Sequence, residues 1–214
     1  SFVQTNCFQT GQCVVTLKNG MPDYNIIFDA AYFRTAVTKE VVEKINEFAP
    51  DVFAFGTLIQ KDLQLRNGIN AILENCSFKE IFCDINLRKG CYDLESCANC
   101  LKNATVFKIS SEEEPLLAEY GLYEKSADEK ETVLNICNAY PDIRILIYTK
   151  GENGSLIYDK ANNRFYEIPI VSAEVSSTVG AGDSYSAAFL CEYFRSGDIL
   201  KSGMAGADLS AFVV

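Results

Sequence analysis

A glycine-rich turn near the end of the chain holds the residues best suited to chemistry. In "SSTVGAGDSYSAAFL", Gly180, Ala181 and Gly182 form the turn, and Asp183 follows with a lone carboxylate before an apolar segment. Backbone N–H groups at a helix N-terminus can hold a phosphate or developing phosphoryl charge. A carboxylate at their edge can take a proton from an attacking hydroxyl. A structural hinge is the alternative, because glycine lets backbones pack closely.

Two other glycine motifs do not fit this turn. The dinucleotide fingerprint G-x-G-x-x-G would need a glycine where Tyr185 stands. The P-loop needs Gly-Lys-Ser/Thr, which the sequence lacks. The turn therefore offers free amides with a carboxylate beside them, which suits phosphoryl transfer to a hydroxyl better than dinucleotide binding.

The elements that must position this turn alternate between strands and helices. The apolar runs "VFAF", "EIFC", "TVFKI" and "ILIY" are short and continuous. Such runs are typical of a mostly parallel sheet with helices on both faces, so we expect one α/β domain over residues 1–214. Residues 12–28 precede this alternation, and their Asn19-Gly20 pair predicts a β-hairpin that stands off the main sheet.

Polar residues follow several of the predicted strands, at the sheet edge where ligands bind in such folds. Asp84, Asn86 and Arg88 follow "EIFC" and would share one side if the strand continues. A run of glutamates follows "TVFKI", and the turn "TKGENG" follows "ILIY". Each segment alone also has a structural explanation as a solvated loop, an acidic first helical turn or a plain turn.

Composition excludes several classes of function. The formal net charge of −10 argues against a nucleic-acid partner. No apolar run is long enough to span a membrane and no secretory signal opens the chain, so we expect a cytoplasmic protein. Nine cysteines at irregular spacings favour a reducing compartment. Cys97 and Cys100 form a single C-x-x-C, a weak zinc pattern in a chain without histidine.

The motifs together carry a family resemblance. "STVGAGDSYSAAFL" closely resembles the C-terminal signature of the ribokinase-like (PfkB-type) carbohydrate kinases. "FCDINLR", "FKISSEEE" and "YTKGENGSLIYD" are similar to that family's Asp-x-Asn-x-Arg, Asn-x-x-Glu and Thr-x-Gly-x-x-Gly segments, and "QTGQCVVTLKNGMPDYNI" to its lid-hairpin region. Order and spacing look most like the fructokinase branch. The resemblance implies a ribokinase-like α/β fold in which residues 12–28 form a lid.

The resemblance also implies residue roles. Asp183 would be the catalytic base, and the amides of Gly180, Ala181, Gly182 and Asp183 would form the anion hole. The expected nucleotide-binding residues are Thr149, Gly151, Gly154, Ser110 and Glu113, with Glu113 holding Mg²⁺ through water, and the expected substrate-binding residues are Arg88, Asp84 and Asn86. Two positions depart from the family pattern: Ser110 stands where it has Asn, and Ser177 where it has Asp beside a monovalent-cation site.

These roles imply an ATP-dependent sugar kinase, most like one that phosphorylates fructose. The alternatives are another sugar or nucleoside substrate, such as 2-keto-3-deoxygluconate or ribose, and a non-catalytic kinase-like protein that binds a sugar or a partner. The hairpin is expected to serve as a lid or as the contact of a homodimer. The family's N-terminal sugar-binding segment and its last adenine-loop segment are expected outside residues 1–214, which would then be an incomplete kinase domain.

Overall fold

The computed structural model describes residues 3–18, 21–173 and 177–214, with backbone alone for residues 17, 18 and 21–24. The strands are β1 (Cys13–Lys18), β2 (Met21–Ile26), β3 (Val52–Phe55), β4 (Glu80–Asp84), β5 (Val106–Ser110), β6 (Ile145–Thr149), β7 (Ser155–Asp159) and β8 (Arg164–Ile168). The α-helices are α1 (Lys39–Phe48), α2 (Leu63–Asn75), α3 (Leu94–Asn103), α4 (Glu114–Glu119), α5 (Glu129–Ala139), α6 (Ala181–Ser196) and α7 (Ile199–Val213).

Six strands form one mostly parallel sheet in the order β3-β4-β5-β6-β7-β8. The strands from β3 to β6 are parallel, whereas β7 and β8 run antiparallel. The predicted α/β class is therefore confirmed. Since the carboxyl ends of the parallel strands share one edge, the register brings Asp84 opposite Lys108 and Ser110 opposite Thr149 at that edge.

Each face of the sheet packs against its own set of helices. One face places buried residues such as Phe107 and Leu146 with those of α3, α4 and α5, among them Leu101 and Ile136. The other face packs Phe82, Val106, Ile145, Ile147, Ile157 and Ile168 against Tyr185 and Phe189 of α6 and Ile199 of α7. Because both faces are covered, the strands are apolar without alternation, as the sequence predicted.

The starts of the helices differ in one respect that concerns the site. Helix α1 begins after Thr38, whose Oγ1 accepts the Val41 N–H at 3.4 Å. Helices α2, α3, α5 and α7 each begin after an aspartate whose carboxylate accepts a first-turn N–H, namely Asp62, Asp93, Asp128 and Asp198. Helices α4 and α6 lack a side-chain cap: α4 follows Glu113, and α6 follows Gly180. In α6, the N–H groups of Gly182 and Asp183 have no acceptor among the described residues and are thus left for another partner.

The N-terminal hairpin forms a sheet of its own. Strands β1 and β2 pair antiparallel from Cys13 opposite Ile26 to Lys18 opposite Met21, apart from the six-stranded sheet. The predicted turn residues Asn19 and Gly20 lie outside the described residues, and the roles of residues 12–28 as lid or dimer contact remain predictions. Within the described ranges, no helix combines the length and apolar character needed to cross a membrane.

The loop after β4 departs from the sequence expectation. The strand ends at Asp84, and Asn86 has a positive φ of 40°. This left-handed backbone interrupts the extended conformation that period-two alternation requires. The strand does not continue past Asp84, so the condition under which Asp84, Asn86 and Arg88 would share one side is not met.

Candidate active site

The glycine turn and the first turn of α6 form one compact structure. Gly180 has a φ of 88°, a conformation that favours glycine, and α6 begins at the next residue. The Ala181 N–H donates to the Thr178 carbonyl oxygen at 3.3 Å, and the Ser184 N–H donates to that of Gly180 at 2.9 Å. Among the described residues, the N–H groups of Gly180, Gly182 and Asp183 have no acceptor. The turn therefore presents unused donors at the positive end of the helix dipole.

Asp183 brings the carboxylate to this turn. It lies in the first turn of α6, where the helix dipole stabilises negative charge, and its side chain is exposed. Within the part of the chain that the structure describes, its carboxylate has neither a hydrogen bond nor an ion pair. The carboxylate is thus accessible to a hydroxyl that approaches the same turn.

A buried ion pair lies beneath the turn, on the sheet. The Lys108 Nζ of β5 is 2.5 Å from the Asp84 Oδ2 of β4, and the two side chains are 8% and 18% exposed. A Cβ placed on Gly182 would stand 3.5 Å from the same Nζ. The Ser186 hydroxyl lies 3.1 Å from Asp84 Oδ2 and 2.9 Å from the Gly182 carbonyl oxygen. The pair therefore attaches α6 to the sheet and brings an ammonium group close to the turn.

Burial is the main influence on the Asp84 carboxyl. Desolvation raises its pKa above the ordinary value, and the negative charge of Glu113 adds to the rise. The Lys108 ammonium and the Ser186 hydroxyl act in the opposite direction by stabilising the carboxylate. Asp84 was expected to bind substrate; in the structure its carboxylate contacts Lys108 and Ser186.

Glu113 connects the ends of two strands. Its Oε1 accepts the Leu87 N–H at 2.7 Å, and its Oε2 accepts both the N–H and the hydroxyl of Ser110, at 2.9 and 2.8 Å. An ionised carboxylate has about four lone-pair sites, so these three bonds leave little room for a direct metal ligand. This geometry suits a contact with a hydrated cation, one of whose water ligands would donate to the remaining lone-pair site of the carboxylate.

The "TKGENG" loop lies beside the end of β5, where Ser110 and Glu113 are joined. The Thr149 carbonyl oxygen at the end of β6 accepts the Ser111 N–H at 2.9 Å, which joins the loop to the end of β5. Gly151 and Gly154 both have positive φ, 54° and 78°. A Cβ on Gly154 would stand only 2.2 Å from the Ile168 carbonyl oxygen, so glycine is required there for close packing. The loop and Glu113 therefore share the edge of the sheet that carries the Asp84–Lys108 pair.

With this geometry established, comparisons with known proteins identify the family. The sequence model described as pfkB family carbohydrate kinase matches residues 1–214. The chain belongs to this family.

Among family relatives, a nucleoside kinase of Methanocaldococcus jannaschii is 47% identical over 70 residues, which are 32% of this chain and 22% of that protein. A solved fructokinase with bound ATP from Xylella fastidiosa has a TM-score of 0.78 at 17% identity, covering 98% of this chain and 68% of that one. A sugar kinase of Pyrococcus horikoshii in complex with ATP has a TM-score of 0.75 at 22% identity, covering 97% and 65%. The chain thus spans about two thirds of these structures, whose likeness shows a shared fold.

The loop after β4 carries the remaining family motif and ends at Cys91, whose thiol is influenced by Cys13 of the hairpin strand β1. The Cys91 N–H donates to the Arg88 carbonyl oxygen at 2.8 Å, and the Lys61 ammonium contacts the Gly90 carbonyl oxygen. Burial raises the pKa of the Cys91 thiol, while the positive charges of Lys61 and Arg88 oppose that rise. A cleft of about 520 Å³ lies close by, lined by Phe28, Asp29, Phe33, Arg34, Lys61 and Asp62. The charge of Arg88 thus acts on Cys91 together with that of Lys61, which lines the cleft.

Sequence reasoning missed two residues that the structure brings to the family's glycine turn. Lys108 is the only charged residue of β5, and period two puts it on the same side of the strand as Ser110. Ser186 lies four residues after Gly182, and so on the same side of α6. A charged residue inside an otherwise apolar strand was the available signal, since such residues are rarely buried without a partner.

Proposed function

We propose that the complete protein is an ATP-dependent kinase that transfers the γ-phosphoryl group to a hydroxyl of a sugar or nucleoside. The single observation that carries this proposal is the uncapped first turn of α6, where unused amides stand beside the exposed Asp183 carboxylate. Family membership supports the phosphotransferase class. The ATP-bound structures with the same fold support ATP as the donor.

In the proposed reaction Asp183 accepts the proton of the attacking hydroxyl. The hydroxyl oxygen forms a bond to the γ-phosphorus, the bond from phosphorus to the β–γ bridging oxygen breaks, and ADP leaves. The N–H groups of Gly180, Gly182 and Asp183 donate to the oxygens of the moving phosphoryl group. Ala181 contributes less in the observed conformation, because its N–H donates to Thr178. Catalysis of this kind depends mainly on positioning and electrostatic stabilisation.

We assign the nucleotide to the edge formed by Thr149, Gly151 and Gly154, next to Ser110 and Glu113. The Thr149–Ser111 bond supports this assignment, because it holds the loop against the end of β5. Mg²⁺ usually keeps several water ligands when it accompanies nucleotide phosphates. Glu113 would contact one of these waters through its remaining lone-pair site.

For the substrate we propose fructose or a related sugar, bound in the cleft near Arg88 and covered by the hairpin of residues 12–28. The cleft offers the aromatic rings of Phe28 and Phe33 together with charged side chains, a combination that can hold a sugar. A nucleoside is the second candidate, and the 70-residue match to a nucleoside kinase favours it. Ribose and 2-keto-3-deoxygluconate remain alternatives within the same chemistry.

The test is an assay of the complete protein as its gene encodes it, with Mg²⁺–ATP and a panel of hydroxyl acceptors. The panel contains fructose, ribose, 2-keto-3-deoxygluconate and cytidine, and the readouts are ADP release and the phosphorylated product. We expect one acceptor to reach a kcat/KM of about 10⁴ M⁻¹ s⁻¹ or more. Binding of an acceptor without any product would favour the non-catalytic alternative and would contradict the proposal.

A further inference from the structure

We propose that Lys108 is a positioning residue for phosphoryl transfer, whose buried ammonium supplies a fixed positive charge beneath the anion-binding turn of α6. The inference rests on the proposed function and adds a residue to it. Its basis is the location of the Lys108 Nζ, 2.5 Å from Asp84 Oδ2 and 3.5 Å from where a Cβ of Gly182 would stand.

Packing alone does not explain a lysine at this position. The residues around it in β5, Val106, Phe107 and Ile109, are fully buried and apolar. A buried ion pair is often no more stabilising than well-packed apolar residues of similar volume. An apolar pair at positions 84 and 108 would therefore hold the sheet as well, which indicates that the charge itself has a use.

The charges around the turn suggest that use. Three carboxylates belong to the proposed site: Asp84, Glu113 and Asp183. ATP brings further negative charge, and like charges repel strongly where water is partly excluded. Lys108 offsets this charge from the sheet side, while the amides of Gly180, Gly182 and Asp183 act from the helix side.

The contacts of Lys108 also fix its position in advance. Asp84 holds the ammonium, Ser186 joins Asp84 to α6, and the same hydroxyl lies near the Gly182 carbonyl oxygen. A charge held in place before the reaction needs no reorganisation when negative charge develops in the transition state. The effect should be greatest on the γ-phosphoryl group, the part of the nucleotide that we assign to this turn.

The test compares Lys108→Met and Lys108→Arg in the complete protein, with ATP and the accepted substrate. Loss of one preorganised electrostatic group costs up to roughly 10²–10³ in kcat. Because Lys108 acts from beneath the turn, we expect Lys108→Met to lower kcat by about 10–100-fold and Lys108→Arg to recover most of it. Direct titration should show weaker ATP binding in Lys108→Met with ADP binding nearly unchanged.

Arg144→Met is the matched control. Arg144 pairs with the buried Glu80 at 2.8 Å at the other end of β4, so its loss also leaves a buried carboxylate without its cation. We expect Arg144→Met to lower the melting temperature while kcat and the ratio of ADP to ATP affinities stay unchanged. If Lys108→Met does not fold, Lys108→Gln replaces it, because the amide can still donate to Asp84.

Two failures can be told apart. A wild-type protein that phosphorylates no acceptor contradicts the proposed function, and the inference is then overturned with it. An active wild type whose Lys108→Met variant changes only in melting temperature, like Arg144→Met, overturns the inference alone. The inference is likewise overturned if both neutral variants fail to fold while Lys108→Arg folds, because the charge would then serve the fold.

Discussion

Strand β4 begins at Glu80 and ends at Asp84, and each of these carboxylates pairs with a cation and with a hydroxyl of α6. Glu80 contacts Arg144 at 2.8 Å and the Tyr193 hydroxyl at 3.3 Å. Asp84 contacts Lys108 and the Ser186 hydroxyl. Four residues of strand span roughly 13 Å and seven residues of helix roughly 10 Å, so the helix can meet the strand at both ends.

The two ends differ in what surrounds the ion pair. At Glu80 the Arg144 cation is half exposed, and the Thr105 hydroxyl donates a further hydrogen bond to the carboxylate. These contacts are sufficient to account for the buried Glu80 carboxylate as part of the fold. At Asp84 the cation is buried, and it lies beneath a helix start whose amides lack a cap. A buried ion pair alone is therefore poor evidence of function. Its combination with unused donors and an exposed carboxylate supports a site.

The largest expected effect comes from Asp183, in the first turn of α6, where we propose the catalytic base. Asp183→Asn in the complete protein should lower kcat by about 10²–10⁴-fold, because the amide cannot accept a proton at neutral pH. ATP affinity should stay similar, since Asn suits a helix start and leaves the backbone donors in place. Steady-state kinetics and nucleotide titration check both parts.

A matched variant at the other end of the same helix keeps this test specific. Ser196→Ala removes a hydroxyl that donates to the Glu192 carbonyl oxygen and accepts the Asp198 N–H, and kcat should not change. A fall in kcat of less than tenfold in Asp183→Asn, or loss of ATP binding by the folded variant, would return the glycine turn to a structural role.

The sequence predicted the sheet well because the relevant signals are local. Continuous apolar runs predicted strands that are covered on both faces. The residues of the glycine turn are adjacent in the sequence, so their motif could be recognised directly. The Asp84–Lys108–Ser186 contacts escaped prediction because they join residues 24 and 102 positions apart. Their meeting depends on strand register and helix docking, which local patterns do not determine. The conformation of the loop after β4 was not predicted, because the polar character of Asn86 does not indicate that its backbone is left-handed.

An intermediate effect is expected at the structural end of β4. Glu80→Gln removes the negative charge that Arg144 and Thr105 stabilise. It also places the amide NH₂ group, itself a donor, next to the donor groups of these two side chains. Hydrogen bonds to charged groups contribute about 1.5–3 kcal/mol, and Arg144 is half exposed, so unfolding free energy should fall by about 1–2 kcal/mol. Urea denaturation measures this change. kcat should stay within about twofold of wild type; a large loss of activity with intact stability would make this end functional too.

The smallest expected effect concerns a helix start that is capped, in contrast with α6. Asp93 caps α3 by accepting the Ser96 N–H at 2.7 Å, and it also pairs with Arg66. Desolvation tends to raise the pKa of its carboxyl, but the Ser96 and Arg66 contacts outweigh burial, and the pKa lies below the ordinary 3.8. The ionised form is therefore the one that the folded state favours.

Because the folded pKa is lowered, this contribution is present above the unfolded pKa and disappears as pH falls through the folded pKa. Asp93→Asn keeps the cap and removes the charge, so it should cost about 0.5 kcal/mol at pH 7, a figure discounted for the half-exposed carboxylate. Urea denaturation at pH 7, 5 and 3 should show the wild-type advantage shrinking between pH 5 and 3. An advantage that stays constant over this range would mean that the Arg66 pair does not stabilise the capped helix through charge, and the contrast with α6 would then rest on hydrogen bonding alone.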